Sequence, residues 1–218
     1  MFNRTIIHEL KQWKERKDRK PLMMLGARQV GKTSVLKKFG EDSFEHCAYF
    51  SLDEEEGVCD IFRKTKNPQQ IIEQLSYLTS EPILPHKTLL ILDEIQDCPE
   101  AISAMKYFCE KTPEYAVACA GSLLGLAFGH QGFSFPVGKV DHMNMYPVTF
   151  SEFLEQRDAG LYQYYMSIDS LEPLPDVFFD RLSQAFTAYR ISGGMPAVAM
   201  KMIEKDLNGV ETTLRNIL

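Results

Sequence analysis

The sequence predicts an α/β protein in which a parallel β-sheet is covered by helices on both sides and is followed by a mostly helical segment. Apolar runs of strand length alternate with segments of helical periodicity as far as residue 146, and the run at residues 88–92 lacks the polar alternation of a half-exposed strand. From residue 147 onward only helical patterns occur. We therefore predict two domains, a core over residues 1–146 and a helical segment over residues 147–218.

The elements of the predicted core follow from apolar spacing and from the positions of glycine and proline. Ile6, Leu10 and Trp13 recur at helical spacing, so a first helix is expected over about residues 4–17. The further predicted elements, in chain order, are a strand at 22–25, a helix from Lys32, a strand at 48–52, a helix at 68–79, a strand at 88–92, a helix from Pro99, a strand at 115–120, a long loop at 125–139 and a strand at 140–146.

The helical segment begins with a capping signal. Thr149 and Glu152 match a capping box, in which each side chain accepts a hydrogen bond from the backbone N–H of the other residue. Helical patterns follow at 176–190 and 196–206, separated by the break Ser-Gly-Gly-Met-Pro at 192–196. The pattern is still helical where the sequence stops, and we expect this chain to be part of a longer protein.

The charge distribution is uneven. The net charge of −6 argues against a protein wrapped in nucleic acid, yet residues 1–40 carry 11 Lys and Arg against 3 Asp and Glu. Six of these eleven basic residues lie in residues 11–20 around Trp13. Such a run is typical of a solvated helix end, and the alternative is a contact for nucleic-acid phosphates or for an acidic protein partner.

Cysteine usage and hydropathy indicate a cytoplasmic protein. The five cysteines include no C-x-x-C pair, so we expect reduced thiols rather than a zinc site or a disulfide framework. No run of about 18 uncharged apolar residues occurs, and the first residues lack the apolar stretch of a secretion signal. We predict no membrane partner.

Residues 26–33, Gly-Ala-Arg-Gln-Val-Gly-Lys-Thr, match the phosphate-loop pattern G-x-x-x-x-G-K-[ST] at every fixed position. Glycines let backbone N–H groups surround a diphosphate, and a helix starting near Lys32 points its positive end at the same anion. Lys32 adds a charge for the outer phosphates, and the Thr33 hydroxyl can bind Mg²⁺. The residues predicted to bind the nucleotide are Gly26, Ala27, Arg28, Gln29, Val30, Gly31, Lys32, Thr33 and Ser34.

A second motif ends the apolar strand at residues 88–92 in two carboxylates. A strand lying beside the first one would bring this end to the Mg²⁺ site, where we expect Asp93 to hold the metal and Glu94 to activate the attacking water. A glutamate after the metal-binding aspartate favours hydrolysis over phosphoryl transfer to a metabolite. We therefore predict Glu94 and Lys32 as catalytic residues.

Two polar side chains near this edge leave alternatives open. Ser122 follows the strand at 115–120 and is a candidate sensor of the γ-phosphate with a catalytic role, or it caps a helix over residues 123–128. Gln96 could orient the water, although an ordinary surface glutamine is favoured at that position.

The ordered set of motifs resembles a known family. The segments GARQVGKT (26–33), ILDEIQDCPE (91–100), AGSLLG (120–125), PVTFSEF (147–153) and GGMP (193–196) are similar to bacterial and archaeal AAA-type ATPases that carry a C-terminal domain of unknown function. The resemblance implies a three-layer phosphate-loop NTPase core with an additional strand in its parallel sheet. It also implies ATP and Mg²⁺ as ligands, and it favours adenine over guanine.

The chain departs from this family in two respects. Many relatives have Gly-Arg where this chain has Gly138-Lys139, which weakens any expectation of an arginine acting on a neighbour's γ-phosphate. Relatives are also longer, with a C-terminal half sometimes described as nuclease-like, and we expect no nuclease activity from residues 147–218. Arg190 could close over the phosphates or cap its own helix.

Three functions are weighed. The first is an Mg²⁺-dependent ATPase whose hydrolysis drives a conformational change. The second is a nucleotide-gated switch or scaffold for a protein or DNA partner, with slow or partner-dependent hydrolysis; homo-oligomerisation belongs to either hypothesis. The third, a small-molecule kinase, leaves Glu94 and the helical segment without a role.

Overall fold

A computed structural model describes residues 2–122 and 136–217 of the chain. These residues form two compact units, one of residues 6–145 and one of residues 2–5 with residues 146–217. Of the loop predicted at 125–139, the first eleven residues lie outside the described residues, and the remaining four include a turn at Val137 and Gly138.

The first unit contains a five-stranded parallel sheet. Its strands are β1 (Leu22–Gly26), β2 (His46–Ser51), β3 (Thr88–Asp93), β4 (Ala116–Ser122) and β5 (Asp141–Asn144). The strand order is β2-β3-β4-β1-β5, and every neighbouring pair is parallel. The parallel sheet predicted from the strand–helix alternation is confirmed.

The position of β4 corrects one expectation. The strand that ends in Asp93 does not lie beside the strand before the phosphate loop, because β4 pairs with both β1 and β3 and separates them. This agrees with the additional strand that the resemblance implied. The carboxyl ends of β1, β4 and β3 therefore follow one another along one edge of the sheet.

The helices of the first unit cover both faces of the sheet. They are α1 (Ile6–Glu15), α2 (Lys32–Ser43), α3 (Glu56–Lys64), α4 (Pro68–Ser76) and α5 (Pro99–Lys111). Alternate residues of β3 enter different apolar clusters: Leu90 and Leu92 pack with α3, α4 and α5, whereas Leu89 and Ile91 pack with α1 and α2. Successive strand residues point to opposite faces, so the unit has three layers, as predicted.

The second unit is helical. Its helices are α6 (Phe150–Arg157), α7 (Ala159–Met166), α8 (Asp176–Ser192), α9 (Pro196–Glu204) and α10 (Leu207–Ile217). The predicted capping box is present at the start of α6, where Thr149 and Glu152 exchange hydrogen bonds. The predicted break after α8 also occurs, with Gly193 and Gly194 at positive φ. Among the described helices of both units, none has the length and apolar character needed to cross a membrane.

Candidate functional site

The loop between β1 and α2 is shaped by backbone requirements. Gly31 has a φ of 95° and Gln29 a φ of 62°. Glycine adopts this left-handed region freely, whereas a glutamine there is strained, and such strain is concentrated at functional sites. Gly26 meets another need, because a Cβ atom at this position would overlap the backbone carbonyl of Met145 just beyond β5.

Lys32, the first residue of α2, folds its side chain back over the loop. Its Nζ donates hydrogen bonds to the carbonyl oxygens of Gly26 (3.1 Å) and Ala27 (2.9 Å), and the residue is only 6% exposed. Burial lowers the pKa of Lys32, while the negative charges of Glu94 and Asp93 oppose that shift. The ammonium group therefore lies where it can exchange carbonyl partners for phosphate oxygens.

A short hydrogen bond joins the first turn of α2 to the end of β3. The Thr33 hydroxyl donates to Oδ2 of Asp93 over 2.6 Å. Asp93 is the last residue of β3 and is 4% exposed, and its Oδ1 accepts from the backbone N–H of Glu94 at 3.0 Å. The two residues predicted to hold Mg²⁺ are thus in direct contact.

Tyr49 is a member of the site that the sequence analysis missed. From β2, its hydroxyl donates to the same Oδ2 of Asp93 at 3.1 Å. Burial raises the pKa of Tyr49 to about 12, so the phenol keeps its proton at neutral pH and remains a donor. The Nζ of Lys37 lies 3.3 Å from the centroid of the Tyr49 ring and helps to hold it in place.

Glu94 sits at an unusual backbone position and is held by a neighbour. Its φ of 48° and ψ of 46° are left-handed, and a short 3-10 helix, Ile95–Asp97, follows. The Nε2 of Gln96 donates to Oε2 of Glu94 at 2.6 Å, and the Oε1 of Gln96 accepts from the backbone N–H of Ser122 at 3.1 Å. The favoured interpretation of Gln96 as an ordinary surface side chain is therefore wrong.

Ser122 ends β4 at the same edge of the sheet. It is 6% exposed and pairs with Gly26 in the β1–β4 ladder, so it is level with the first residue of the phosphate loop. Its backbone N–H is linked through Gln96 to Glu94. The alternative role of Ser122 concerns a helix over residues 123–128, which lies outside the described residues.

Other predicted residues lie at the margin of the site or away from it. Val30 is buried in the core, whereas four residues predicted to bind the nucleotide are exposed: Ala27, Arg28 and Gln29 of the loop and Ser34 of α2. Lys139 forms an ion pair with Glu110 of α5 at 2.8 Å. Arg190 is an exposed residue of the second unit, and its closing over the phosphates stays a prediction.

The donor set at Thr33 and Asp93 fits Mg²⁺. This ion prefers oxygen ligands and, in nucleotide sites, takes one or two protein oxygens together with phosphate and water oxygens. A hydroxyl oxygen and a carboxylate oxygen 2.6 Å apart supply that kind of donor. Within residues 2–122 and 136–217, no group of three or more His, Cys, Asp or Glu side chains could hold a metal ion by itself.

A family comparison decides the class of protein. The model of a family described as an AAA domain matches residues 18–154, more than half of the chain. This chain belongs to the AAA domain family. The matched range contains the loop, Asp93, Glu94 and Ser122, and the resemblance to AAA-type phosphate-loop ATPases is confirmed.

Comparisons with solved structures support the same fold. A Walker-type ATPase of Pyrococcus abyssi is similar with a TM-score of 0.54 and 17% identity, over 99% of this chain and 68% of that one. A structure of Drosophila ORC bound to DNA is similar with a TM-score of 0.53 and 12% identity, over 90% of this chain and 58% of that one. No curated protein matches the chain. At these identities the similarity concerns the fold alone.

Proposed function

We propose that this chain binds ATP with Mg²⁺, hydrolyses it to ADP and phosphate, and changes conformation with its nucleotide state. Membership of the AAA domain family supports this proposal. The observation that carries it is the 2.6 Å hydrogen bond between Thr33 and Asp93. This bond joins the start of the helix after the phosphate loop to a strand end that bears two acids. A nucleoside-triphosphate hydrolase needs the phosphate loop and these acids side by side.

The phosphate groups are bound at the loop. The backbone N–H groups of residues 26–34 and the N-terminal end of α2 attract the β- and γ-phosphates. Lys32 leaves the carbonyl oxygens of Gly26 and Ala27 and pairs with phosphate oxygens. Thr33 and Asp93 hold Mg²⁺, which neutralises charge on the phosphates when it is bound.

Hydrolysis uses groups at the carboxyl ends of β3 and β4. Glu94 accepts a proton from the attacking water as the water oxygen bonds to the γ-phosphorus and the bond to the β–γ bridging oxygen breaks, which releases ADP. Ser122 lies near the γ-phosphate and responds to its loss. The contacts that link Glu94 and Ser122 through Gln96 at one edge of the sheet support these proposed roles.

The test is single-turnover hydrolysis of Mg-ATP by the wild type and by Glu94→Gln, with nucleotide affinity measured in parallel. We expect both to bind ATP with similar affinity, and Glu94→Gln to release phosphate at least about a hundredfold more slowly, as loss of a general base commonly causes. Glu73→Gln, at an exposed position of α4, is the matched control and should hydrolyse normally.

Another outcome favours the second function. If the wild type binds ATP tightly but shows no turnover above background, hydrolysis by this chain is contradicted. ATP-dependent oligomerisation or partner binding that persists in Glu94→Gln would then identify a nucleotide-gated switch.

A protein or DNA partner at residues 11–20 has weaker support. Three cations of this segment are engaged within the unit: Lys14 bonds the Ser43 carbonyl at 2.5 Å, Arg16 lies 3.4 Å from Asp141, and Arg19 lies 5.5 Å from the Trp13 ring. Lys11 and Lys17 are exposed. A fluorescence anisotropy titration with duplex DNA at two salt concentrations tests this contact, since phosphate binding must weaken with salt. Equal affinity in Lys11→Glu/Lys17→Glu would contradict it.

A further inference from the structure

Both ends of the Gln96 side-chain amide are used at the site. The NH₂ group donates to Oε2 of Glu94 at 2.6 Å and to Oδ2 of Asp97 at 3.0 Å. The carbonyl oxygen accepts from the backbone N–H of Ser122 at 3.1 Å. Gln96 therefore bridges the acid after β3 and the last residue of β4.

The orientation of this amide is determined by its partners. Carboxylate oxygens can only accept from Gln96, and the Ser122 N–H can only donate to it. Exchanging the oxygen and nitrogen of the amide would put a carbonyl against two carboxylates and an NH₂ group against an N–H, so only one orientation satisfies every partner.

The backbone around Gln96 directs its side chain toward Glu94. Glu94 is left-handed, and the chain then tightens into the 3-10 helix, in which Asp97 N–H donates to the Glu94 carbonyl at 2.9 Å. Ile95, which is fully buried, anchors this turn in the core beneath the site. With Ile95 pointing inward, its neighbour Gln96 reaches back to the acid two residues earlier.

We propose that Gln96 is a positioning residue, which holds the Glu94 carboxylate in place relative to the end of β4. The inference rests on the proposed function, since it concerns the residue expected to act on the attacking water. It also gives Ser122 a route to that acid: a shift of the β4 end that breaks the 3.1 Å bond releases the amide, and with it the orientation of Glu94.

The test compares Gln96→Leu and Gln96→Glu with the wild type in single-turnover hydrolysis of Mg-ATP. The leucine has neither donor nor acceptor; the glutamate keeps an acceptor for Ser122 but places a negative charge against Glu94. We expect both to slow hydrolysis at least about tenfold, the loss expected for one hydrogen bond to a charged group. The affinity for Mg-ATP and the thermal unfolding midpoint should stay near the wild-type values.

Controls separate positioning from general damage. Gln69→Leu, the same substitution at an exposed position of α4, should leave the rate unchanged. Because Gln96 acts through Glu94, the double variant Glu94→Gln/Gln96→Leu should be no slower than Glu94→Gln alone. A further loss in the double variant would show an independent role and overturn the inference.

The remaining outcomes are distinguishable. A wild-type rate in either Gln96 variant, or a fall in rate matched by an equal fall in affinity, overturns the positioning role alone. Absence of hydrolysis in the wild type contradicts the proposed function and this inference together.

Discussion

At the scale of single residues, the side chain of Lys32 holds the loop through two hydrogen bonds. Its ammonium group donates to the carbonyl oxygens of Gly26 and Ala27. In the proposed function, the same group exchanges these partners for phosphate oxygens. The proposal therefore gives Lys32 two roles, one in the conformation of the loop and one in binding ATP.

Lys32→Ala should weaken Mg-ATP binding by roughly ten- to a hundredfold, the range expected for loss of hydrogen bonds to a charged group. Isothermal calorimetry with a slowly hydrolysed ATP analogue measures this change. Lys38→Ala is the control, because Lys38 is exposed on the same helix and pairs only locally with Asp42 among the contacts described. Equal affinity of both variants would contradict the role of Lys32.

In the presence of ATP, Tyr49→Phe should need about tenfold more Mg²⁺ than the wild type for half-maximal thermal stabilisation. A loss of this size is usual when a residue that orients a metal ligand is removed. The variant removes only the hydroxyl that donates to Asp93, and it keeps the ring beneath Lys37. A thermal-shift titration of Mg²⁺ at constant ATP measures the effect. Tyr77→Phe, at an 81% exposed position, should titrate like the wild type. A Mg²⁺ titration curve for Tyr49→Phe that coincides with the wild-type curve would contradict the orienting role.

The residues of the candidate site that could be predicted are those that belong to short motifs with a fixed spacing in the sequence. The loop pattern at 26–33 and the acids at 93 and 94 needed only their neighbours in sequence. Tyr49 could not be found in this way, because it reaches Asp93 only through the register of β2 against β3. Gln96 was misjudged because its contacts depend on the left-handed backbone of Glu94, which no sequence pattern signals.

At the scale of elements, the close approach of β1 and β5 limits what residue 26 can be. The backbone N–H of Met145 donates to the Leu25 carbonyl at 2.6 Å, and its own carbonyl faces Gly26. Packing against Met145 is therefore one reason for a glycine at the end of this strand, separate from the phosphate binding proposed for it.

Gly26→Ala should lower the free energy of unfolding by about 1–3 kcal/mol, the usual cost of an extra group in a filled space. Gly57→Ala is the matched control: nothing lies within 4 Å of a Cβ there, and alanine in α3 should stabilise by about 0.5–1 kcal/mol. Urea unfolding of both variants measures the decrease in the free energy of unfolding expected for Gly26→Ala and the increase expected for Gly57→Ala. A Gly26→Ala chain as stable as the wild type would contradict the packing argument.

Most elements were predictable from apolar spacing, and the exceptions have physical reasons. β3 and α2 were expected because their buried residues are regularly spaced and their ends are marked. Helix α3 was missed, because the acidic run before it resembles a solvent-exposed turn and its strong apolar face is only nine residues long. The order of the strands depends on contacts distant in sequence, so the place of β4 between β1 and β3 was not readable from periodicity.

At the scale of the whole molecule, a buried ion pair ties two distant stretches into the second unit. Arg4 Nε lies 3.1 Å from Oε2 of Glu152, and their side chains are 6% and 4% exposed. The backbone N–H groups of Thr5 and Thr149 also donate to this carboxylate, at 2.8 and 2.9 Å. Periodicity offered no way to assign residues 2–5 to this unit, since the pairing spans the entire sheet-containing unit.

Glu152→Gln should destabilise the second unit at neutral pH by about 3–5 kcal/mol, because it leaves the buried charge of Arg4 uncompensated. Burial acts to raise the pKa of Glu152, but hydrogen bonds from Thr149 and Thr5 and the charge of Arg4 outweigh it, and the pKa is lowered. The stabilisation is therefore complete above the pKa of an unfolded glutamate, about 4.3, and is lost as pH falls through the lower folded value.

Two probes measure this effect in one sample. The only tryptophan, Trp13, is buried in the first unit and reports its unfolding by fluorescence, whereas far-ultraviolet circular dichroism reports helices of both units. The variant should shift the dichroism transition and leave the fluorescence transition in place. The difference from the wild type should shrink in acid. A difference between the dichroism transitions of the two proteins that stays constant from pH 7 to pH 3 would contradict the coupling of stability to the ionisation of Glu152.

The second unit combines residues 2–5 with residues from 146 onward, so its two parts leave the ribosome at different times. Thr5 and its partner Glu152 are separated by 147 positions, which take roughly 7–30 s to translate at about 5–20 residues per second. Every strand of the sheet is synthesised within that interval, before the carboxylate that pairs with Arg4. The sheet-containing unit can therefore begin to form first, whereas residues 2–5, the earliest to be synthesised, are among the last to reach their native contacts.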